Sequence, residues 1–439
     1  MKSLAILLVA LGTLPLGAQD ASTAAQTAPP VETTPNSSGN PLSLVGEFLG
    51  TNYANVFGFV NGMYDSSQSL VSGGKNSSGG FGLDLGGGVQ VSHPFRRSYI
   101  SLNYRGDYRN YNSQSIGSGT SQYLALDYSM RLSKRWSLSL AESAGISLYG
   151  TAFYGSLANP GYSYSTNPFS PSTRFLSSSI FASYQATHRW SYTLGGSFFL
   201  NRYNYPGAFG STGGFETASA SYQFTNRTSG SITYSHDDFY FQHAAGESHI
   251  NGIYASGNHS FPNRWNIFGS FGMTQAQNQG TIRLPIEFIF NGVPVTGYAI
   301  GHYKTSNWIP TLSGGASKAY RNYTISASAG RGVTPGNGTI LTSSNTYFGG
   351  FASRSFRNSN LGGGAFYSHI SSISNTVSSA YTQSAFTVSY SRLVLRHVSA
   401  SGAYGYYRYG TLQQIGAISD NRFSFGISVS SRNVPLTLF

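Results

Sequence analysis

Three groups of residues carry side chains that could do chemistry. The first lies in SYISLNYRGDYRNY, residues 98–111, where Arg105, Asp107 and Arg109 recur at every second position. Asp84 precedes them in FGLDLGGGVQV, and Asp127 and Arg131 follow in SQYLALDYSMRL. A spacing of two puts residues on one face of a strand. Acids and bases that face one another across an aqueous space make a transverse field, which orients polar solutes and sets ion preference. The plainer reading is mutual neutralisation between neighbours, and both can hold together.

The second group is HDDFYFQHAAGESH, residues 236–249. His236, Asp238, His243 and Glu247 have the donor atoms of a divalent-cation site, but their spacing matches no specific metal motif. The preferred reading is a polar loop tip turned to water, with no metal bound. The third group is the many serines and histidines. No Gly-x-Ser-x-Gly elbow stands in a strand–helix context, so no enzyme is expected. Gly73-Gly74, Gly86-Gly87-Gly88 and Gly362-Gly363-Gly364 precede no helix and are not phosphate loops. Glycine inside a strand instead permits a bend or close packing of a facing side chain. The chain has no cysteine, which excludes disulfides and thiolate metal sites, and no cofactor is expected.

The elements that position these residues are announced by a recurring turn. It reads HPFRRS at Arg97, SKRWS at Arg135, THRWS at Arg189, TNRTS at Arg227 and PNRWN at Arg264. It continues as AYRNY at Arg321 and SFRNS at Arg357, with looser copies at Arg396 and Arg432. The arginines step by 36–39 residues, apart from two steps of 54 and 57. Such a period demands a repeating architecture. Between turns the sequence alternates with period two. Ile100, Leu102, Tyr104 and Tyr108 oppose Ser101, Asn103, Arg105, Asp107 and Arg109. Phe423, Phe425, Ile427 and Val429 oppose Ser424, Gly426, Ser428 and Ser430. One interval holds two strands of about 10–12 residues, long enough to cross a bilayer when tilted. Eight intervals, with 55–64 and 81–91 before them, predict about 18 strands.

Proline agrees, because it falls nearly everywhere in the predicted turns and loops, where no ladder bond is lost. Pro310 is placed at a strand start. Trp136, Trp190 and Trp265 each follow a turn arginine. Aromatic rings settle at a membrane interface, and a neighbouring arginine reaches phosphates. Arg135, Trp136, Arg189, Trp190, Arg264 and Trp265 are therefore read as anchors of the periplasmic rim. Longer connections then lie outside, and the 278–304 insertion either enters the lumen or stands outward as a hairpin.

Composition fits this reading. Only 9% of residues are charged, against roughly 25% in ordinary soluble domains, while Gly (54), Tyr (32) and Phe (29) abound. The net charge of +12 comes with no basic cluster inside a nucleic-acid-binding motif, so nucleic acid is not an expected partner. Residues 1–18 are expected to be a secretory signal peptide and 19–41 a disordered Pro/Thr/Ser-rich linker, leaving 42–439 as the barrel. A soluble β-solenoid or sandwich would also alternate, but it does not account for the signal, the low charge and the aromatic rim together.

With its signal peptide, short turns, long loops, aromatic girdle and terminal Phe439, the chain resembles a bacterial outer-membrane β-barrel of the porin-like type over about residues 42–439. The resemblance implies an all-β transmembrane antiparallel up-and-down barrel in the cell outer membrane. It also implies partnership with outer-membrane lipids, and with the assembly machinery through the C-terminus. One departure is that NVPLTLF follows Arg432, so Phe439 ends either a bulged last strand or a short tail. The expected function is passive diffusion of small hydrophilic solutes. Inward Ser, Gly, Asn, Thr and Tyr suit uncharged solutes such as sugars, with Tyr123, Tyr203 and Tyr407 as stacking surfaces. The alternatives are the barrel of a surface polysaccharide export system, or a structural or adhesive barrel with a closed lumen.

Overall fold

A computed structural model describes residues 53–66, 79–112, 118–148, 172–203, 210–242, 246–290, 293–320, 322–334, 342–373, 380–410 and 418–431. The expected signal, the linker, His243, Arg321, Arg432 and Phe439 lie outside them. The described residues form eighteen strands. The first six are β1 Tyr53–Asp65, β2 Gly80–Pro94, β3 Ser98–Tyr111, β4 Gly119–Arg131, β5 Trp136–Leu148 and β6 Ser172–Gln185. Next come β7 Trp190–Tyr203, β8 Ser211–Thr225, β9 Thr228–Phe241, β10 Gly246–Ser260, β11 Trp265–Phe290 and β12 Val293–Tyr320. The last are β13 Tyr323–Thr334, β14 Ser343–Ser355, β15 Ser359–Ser372, β16 Ala380–Leu395, β17 Val398–Tyr409 and β18 Ile418–Ser430. Each pairs antiparallel with its chain neighbours. β1 also closes on β18, from Phe57↔Ser430 to Asp65↔Arg422. This is the closed up-and-down barrel that the alternation predicts, and closure leaves no sheet edge.

The short turns explain their own sequence. In the β4–β5 turn, Ser133 Oγ accepts the N–H groups of Arg135 and Trp136, each at 3.1 Å. Thr187 Oγ1 does the same for Arg189 at 3.2 Å and Trp190 at 3.0 Å, and Thr225 Oγ1 for Arg227 at 3.2 Å. A hydroxyl two or three residues ahead thus satisfies donors that the turn would orphan. The PNRW turn has no such hydroxyl and instead places Arg264 at φ 66°, in the left-handed region. The rings that follow join a girdle. Trp136 packs on Tyr184 and Trp190 on Tyr222, both with centroids 4.8 Å apart. The Lys318 ammonium lies 5.2 Å above Trp265.

The outer wall is apolar. Leu194 is 68% exposed and Phe271 67%, with Phe425, Ile232 and Leu312 close behind. These rows contain the Leu, Ile, Val and Phe of the alternating runs. Burying them in lipid rather than water is worth about 25 cal/mol per Å² of apolar surface.

Several strands run farther into the long connections than the sequence suggests: β8 begins at Ser211, β10 at Gly246 and β14 at Ser343. The 278–304 insertion continues β11 and β12 as one paired hairpin, from Trp265↔Lys318 to Phe290↔Val293. β10 accompanies β11 only as far as Gln279, and β13 pairs β12 only from Leu312 onward. Pro310 therefore sits inside β12, not at a strand start. Because β13 has already parted from β12 there, the ladder on that side does not need the N–H that proline lacks. Pro285 and Pro294 occupy the same two-stranded ribbon, whose outer edges are likewise open.

Candidate functional site in the lumen

The inner face is set by parity within each strand, and closure decides which inner residues meet. β3 turns Asn103, Arg105, Asp107, Arg109 and Tyr111 inward, while Leu102, Tyr104 and Tyr108 face out. Arg109 Nη2 lies 3.5 Å from Asp84 Oδ2 on β2, and Arg105 Nε 3.5 Å from Asp107 Oδ1. Arg105 also caps the Phe59 ring on β1, 4.7 Å from its centroid. Asp127 and Arg131 share the inner face of β4 and are exposed, so they meet lumen water and not the buried pairs.

The sequence reading missed the other half of this network. Arg422 on β18 donates from Nε to Asp420 Oδ2 at 2.5 Å and lies 3.3 Å from Asp65 Oδ1 on β1. The Tyr111 hydroxyl donates to Asp65 Oδ2 at 2.5 Å. The Arg422 guanidinium stands 4.9 Å above the Tyr407 ring. All of these side chains are buried. Charged and aromatic groups from β17, β18, β1, β2 and β3 thus form one wall across the seam of the barrel. The signal was present, since Asp420 and Arg422 belong to the same alternation as Ser424. Tyr407 is covered by Arg422, so it is no open stacking surface; Tyr123 instead lies 6.1 Å from Phe175, centroid to centroid.

The inner face is also less polar than the sequence suggested. The inward Phe57 and Phe59 pack over their register partners Gly88 and Gly86 on β2. A Cβ on Gly88 would come 2.7 Å from Phe57 Cζ, and one on Gly86 would come 2.5 Å from Phe59 Cζ. Glycine supplies the floor on which a large ring fits without crossing the lumen, which is why GGG stands in the middle of β2.

Around the ring, β10 stands nine strands from β1 in either direction. Here an apolar cluster stands on an inner wall that also carries the buried Thr233, Ser235, Asp237 and Thr274. Phe199, Phe215, Phe239, Phe241, Ile250, Ala276 and Ile309 form a buried cluster on β7–β12. Phe199, Phe215 and Phe239 make a triangle of rings with centroids 5.4–5.8 Å apart. Val333 and Ile373, at the long-loop ends of β13 and β15, complete it. Thr342 hydrogen bonds to Ser248, which itself donates to Asn278 Oδ1 at 2.5 Å. Asn307 Nδ2 donates to the Ile373 carbonyl at 3.1 Å. Where β13 parts from β12, its end and the neighbouring β14–β15 ends therefore fold against the inner wall. They narrow the long-loop end of the lumen, while the 278–304 insertion carries the wall onward.

The histidine–carboxylate group sits elsewhere. His236 and Asp238 are in β9, and Glu247 and His249 in β10, so these four belong to strands and not to a loop tip. Their parity is opposite to that of Asp237 and Ser248, which puts them on the outer face. His249 Nδ1 is 2.5 Å from Asp238 Oδ1, and His236 Nε2 is 3.5 Å from Asp238 Oδ2. Gln279 donates to Glu247, and His236 Nδ1 meets Asn251 Oδ1 at 2.9 Å. Cross-strand partners thus use the lone pairs that a metal would need, and no metal-ligating group of three stands among the described residues.

No known protein family and no curated protein matches the chain. Solved structures do resemble it. OpdL of Pseudomonas aeruginosa is 12% identical, with 87% of this chain and 98% of that one covered and a TM-score of 0.41. A BenF-like porin from Pseudomonas fluorescens Pf-5 is 10% identical, covering 88% and 100%, with a TM-score of 0.45. OccK9 (OpdG) of Pseudomonas aeruginosa is 12% identical, covering 86% and 98%, with a TM-score of 0.44. The strand count and closure of the present barrel stand on its own hydrogen-bond ladder.

Proposed function

We propose that this chain is a porin-like channel of the bacterial outer membrane, through which small hydrophilic solutes diffuse passively. One observation carries the reading: a closed ladder of eighteen strands has an apolar outer wall and an inner wall bearing charge. Barrels of 16–18 strands are wide enough for a water-filled passage. Asp127 and Arg131 meet its water, while Asp84, Arg105, Asp107 and Arg109 join Asp65, Asp420 and Arg422 in a largely buried charged wall on its inner side. The paired charges stand across the barrel from the phenylalanine cluster, which shares its strands with the buried Asp237. The rim residues Arg135, Trp136, Arg189, Trp190, Arg264 and Trp265 hold the periplasmic end at the interface, and lipids are the surrounding partner.

Reconstitution in a planar bilayer tests this. Steady conductance steps that grow with salt concentration are expected. A silent barrel that still folds and inserts would instead support the structural or adhesive reading, in which the long-loop end is sealed by the Val333–Ile373 packing. Swelling of proteoliposomes in sugars and amino acids then ranks the solutes.

A further inference from the structure

Arg174 on β6 and Arg202 on β7 are register partners, directly opposite one another at the long-loop end of the wall. Both belong to the outward rows. Below Arg174 the same face carries Leu176 and Ile180, and below Arg202 it carries Leu200, Phe198 and Leu194. Directly opposed side chains have Cβ atoms about 4.5–5.5 Å apart, and like charges so placed repel. Neither arginine has a carboxylate partner among the described residues. The connections beside them, 149–171 and 204–209, contain no Asp or Glu at all. The nearest acid on these outer rows, Glu142, faces Ser178, four residues along β6 from Arg174.

Height decides what can answer this charge. Arg202 lies twelve residues beyond the girdle residue Trp190 on the same face. At ~3.3 Å per residue and a tilt of about 40°, that is a height of ~30 Å, slightly more than an apolar band of about 25 Å. The two guanidinium groups therefore stand where the outer-leaflet headgroups begin. The fork of an arginine matches phosphate geometry, and two forks side by side can bracket one phosphate group. Arg408 is also outward at this rim, but its register partners are Ser384 and Ser419, so it stands alone.

We infer that Arg174 and Arg202 form a binding site for the phosphate of an outer-leaflet glycolipid. The inference rests on the membrane placement proposed above but not on the channel. Native mass spectrometry of the full chain tests it, with diphosphorylated lipid A, dephosphorylated lipid A and inorganic phosphate as probes. The wild type is expected to retain the diphosphorylated lipid over the dephosphorylated one. Arg174→Gln or Arg202→Gln alone should weaken retention about tenfold, and the pair about a hundredfold. Arg408→Gln should leave it unchanged, and the double Lys variant should keep part of it. Equal retention of the two lipids, or an undiminished double Gln variant, overturns the inference. Displacement of the lipid by inorganic phosphate at equal concentration also overturns it, because the site would then serve a soluble anion. Circular dichroism checks that each variant is folded. Quenching of Trp136 and Trp190 by brominated lipids separates a failure of this site from a failure of membrane placement.

Discussion

Replacing Arg422 tests whether the charged wall is a dry structural network or a wet lining. Its side chain is 2% exposed, and those of its partners Asp420 and Asp65 are 0% and 6% exposed. At an effective dielectric near 20, unit charges 3.3 Å apart attract by about 5 kcal/mol. Removing one member of a buried pair costs about 3–5 kcal/mol, because the remaining charge stays buried without compensation. Arg422→Met strands two carboxylates at once. It does so at the seam where β1 closes on β18, where Asp65 and Arg422 are register partners. Urea unfolding from lipid vesicles should show a loss at the upper end of that range. The triple variant Asp65→Asn, Asp420→Asn, Arg422→Met should recover most of it, since no charge is left and the amide at position 65 still accepts from Tyr111. If Arg422→Met instead costs no more than about 1 kcal/mol, the magnitude of a solvated surface pair, water reaches the seam and the reasoning fails.

Other expectations follow from the same geometry. Gly86→Val should destabilise the barrel by about 1–3 kcal/mol, because the Phe59 ring, the Gly106 carbonyl and Asp107 Cβ occupy the space a side chain would need; an unchanged unfolding midpoint would mean that β2 is not packed this closely there. Asp84→Asn with Asp107→Asn leaves Arg105 and Arg109 uncompensated, so the reversal potential in a salt gradient should move toward anion preference; no movement would place these residues off the conduction path. Zinc titration should show no saturable binding at His236, Asp238 and His249, since Asp238 already bonds His249 across the strands and His236 bonds Asn251. A tight stoichiometric site lost in His249→Ala would refute that account.

Much of the architecture was legible because it is local. Period-two alternation tells inside from outside within one strand, and Ser133 ahead of Arg135-Trp136 and Thr187 ahead of Arg189-Trp190 each close a turn using only neighbouring atoms. Strand number and turn positions follow from these features, and so does the shared inner face of Arg105, Asp107 and Arg109. Proline was harder to read, because Pro310 is tolerated for what a neighbouring strand does and not for its own position. The histidine–carboxylate group was misplaced by a few residues. The polar run HDDFYFQHAAGESH reads as a loop, but cross-strand bonds extend β9 and β10 into it.

What only the tertiary structure decided is which residues meet around the ring. Asp65 and Arg422 come from opposite ends of the chain and touch only because the ladder closes there. Nothing near either residue in sequence requires it. The cluster of Phe199, Phe215 and Phe239 stands across from the charged wall for the same reason. Strand parity fixes a side chain's face, but its angular position depends on how many strands complete the circle. Arg174 and Arg202 become a pair through register across the β6–β7 turn, and that depends on where the turn places the two strands against each other.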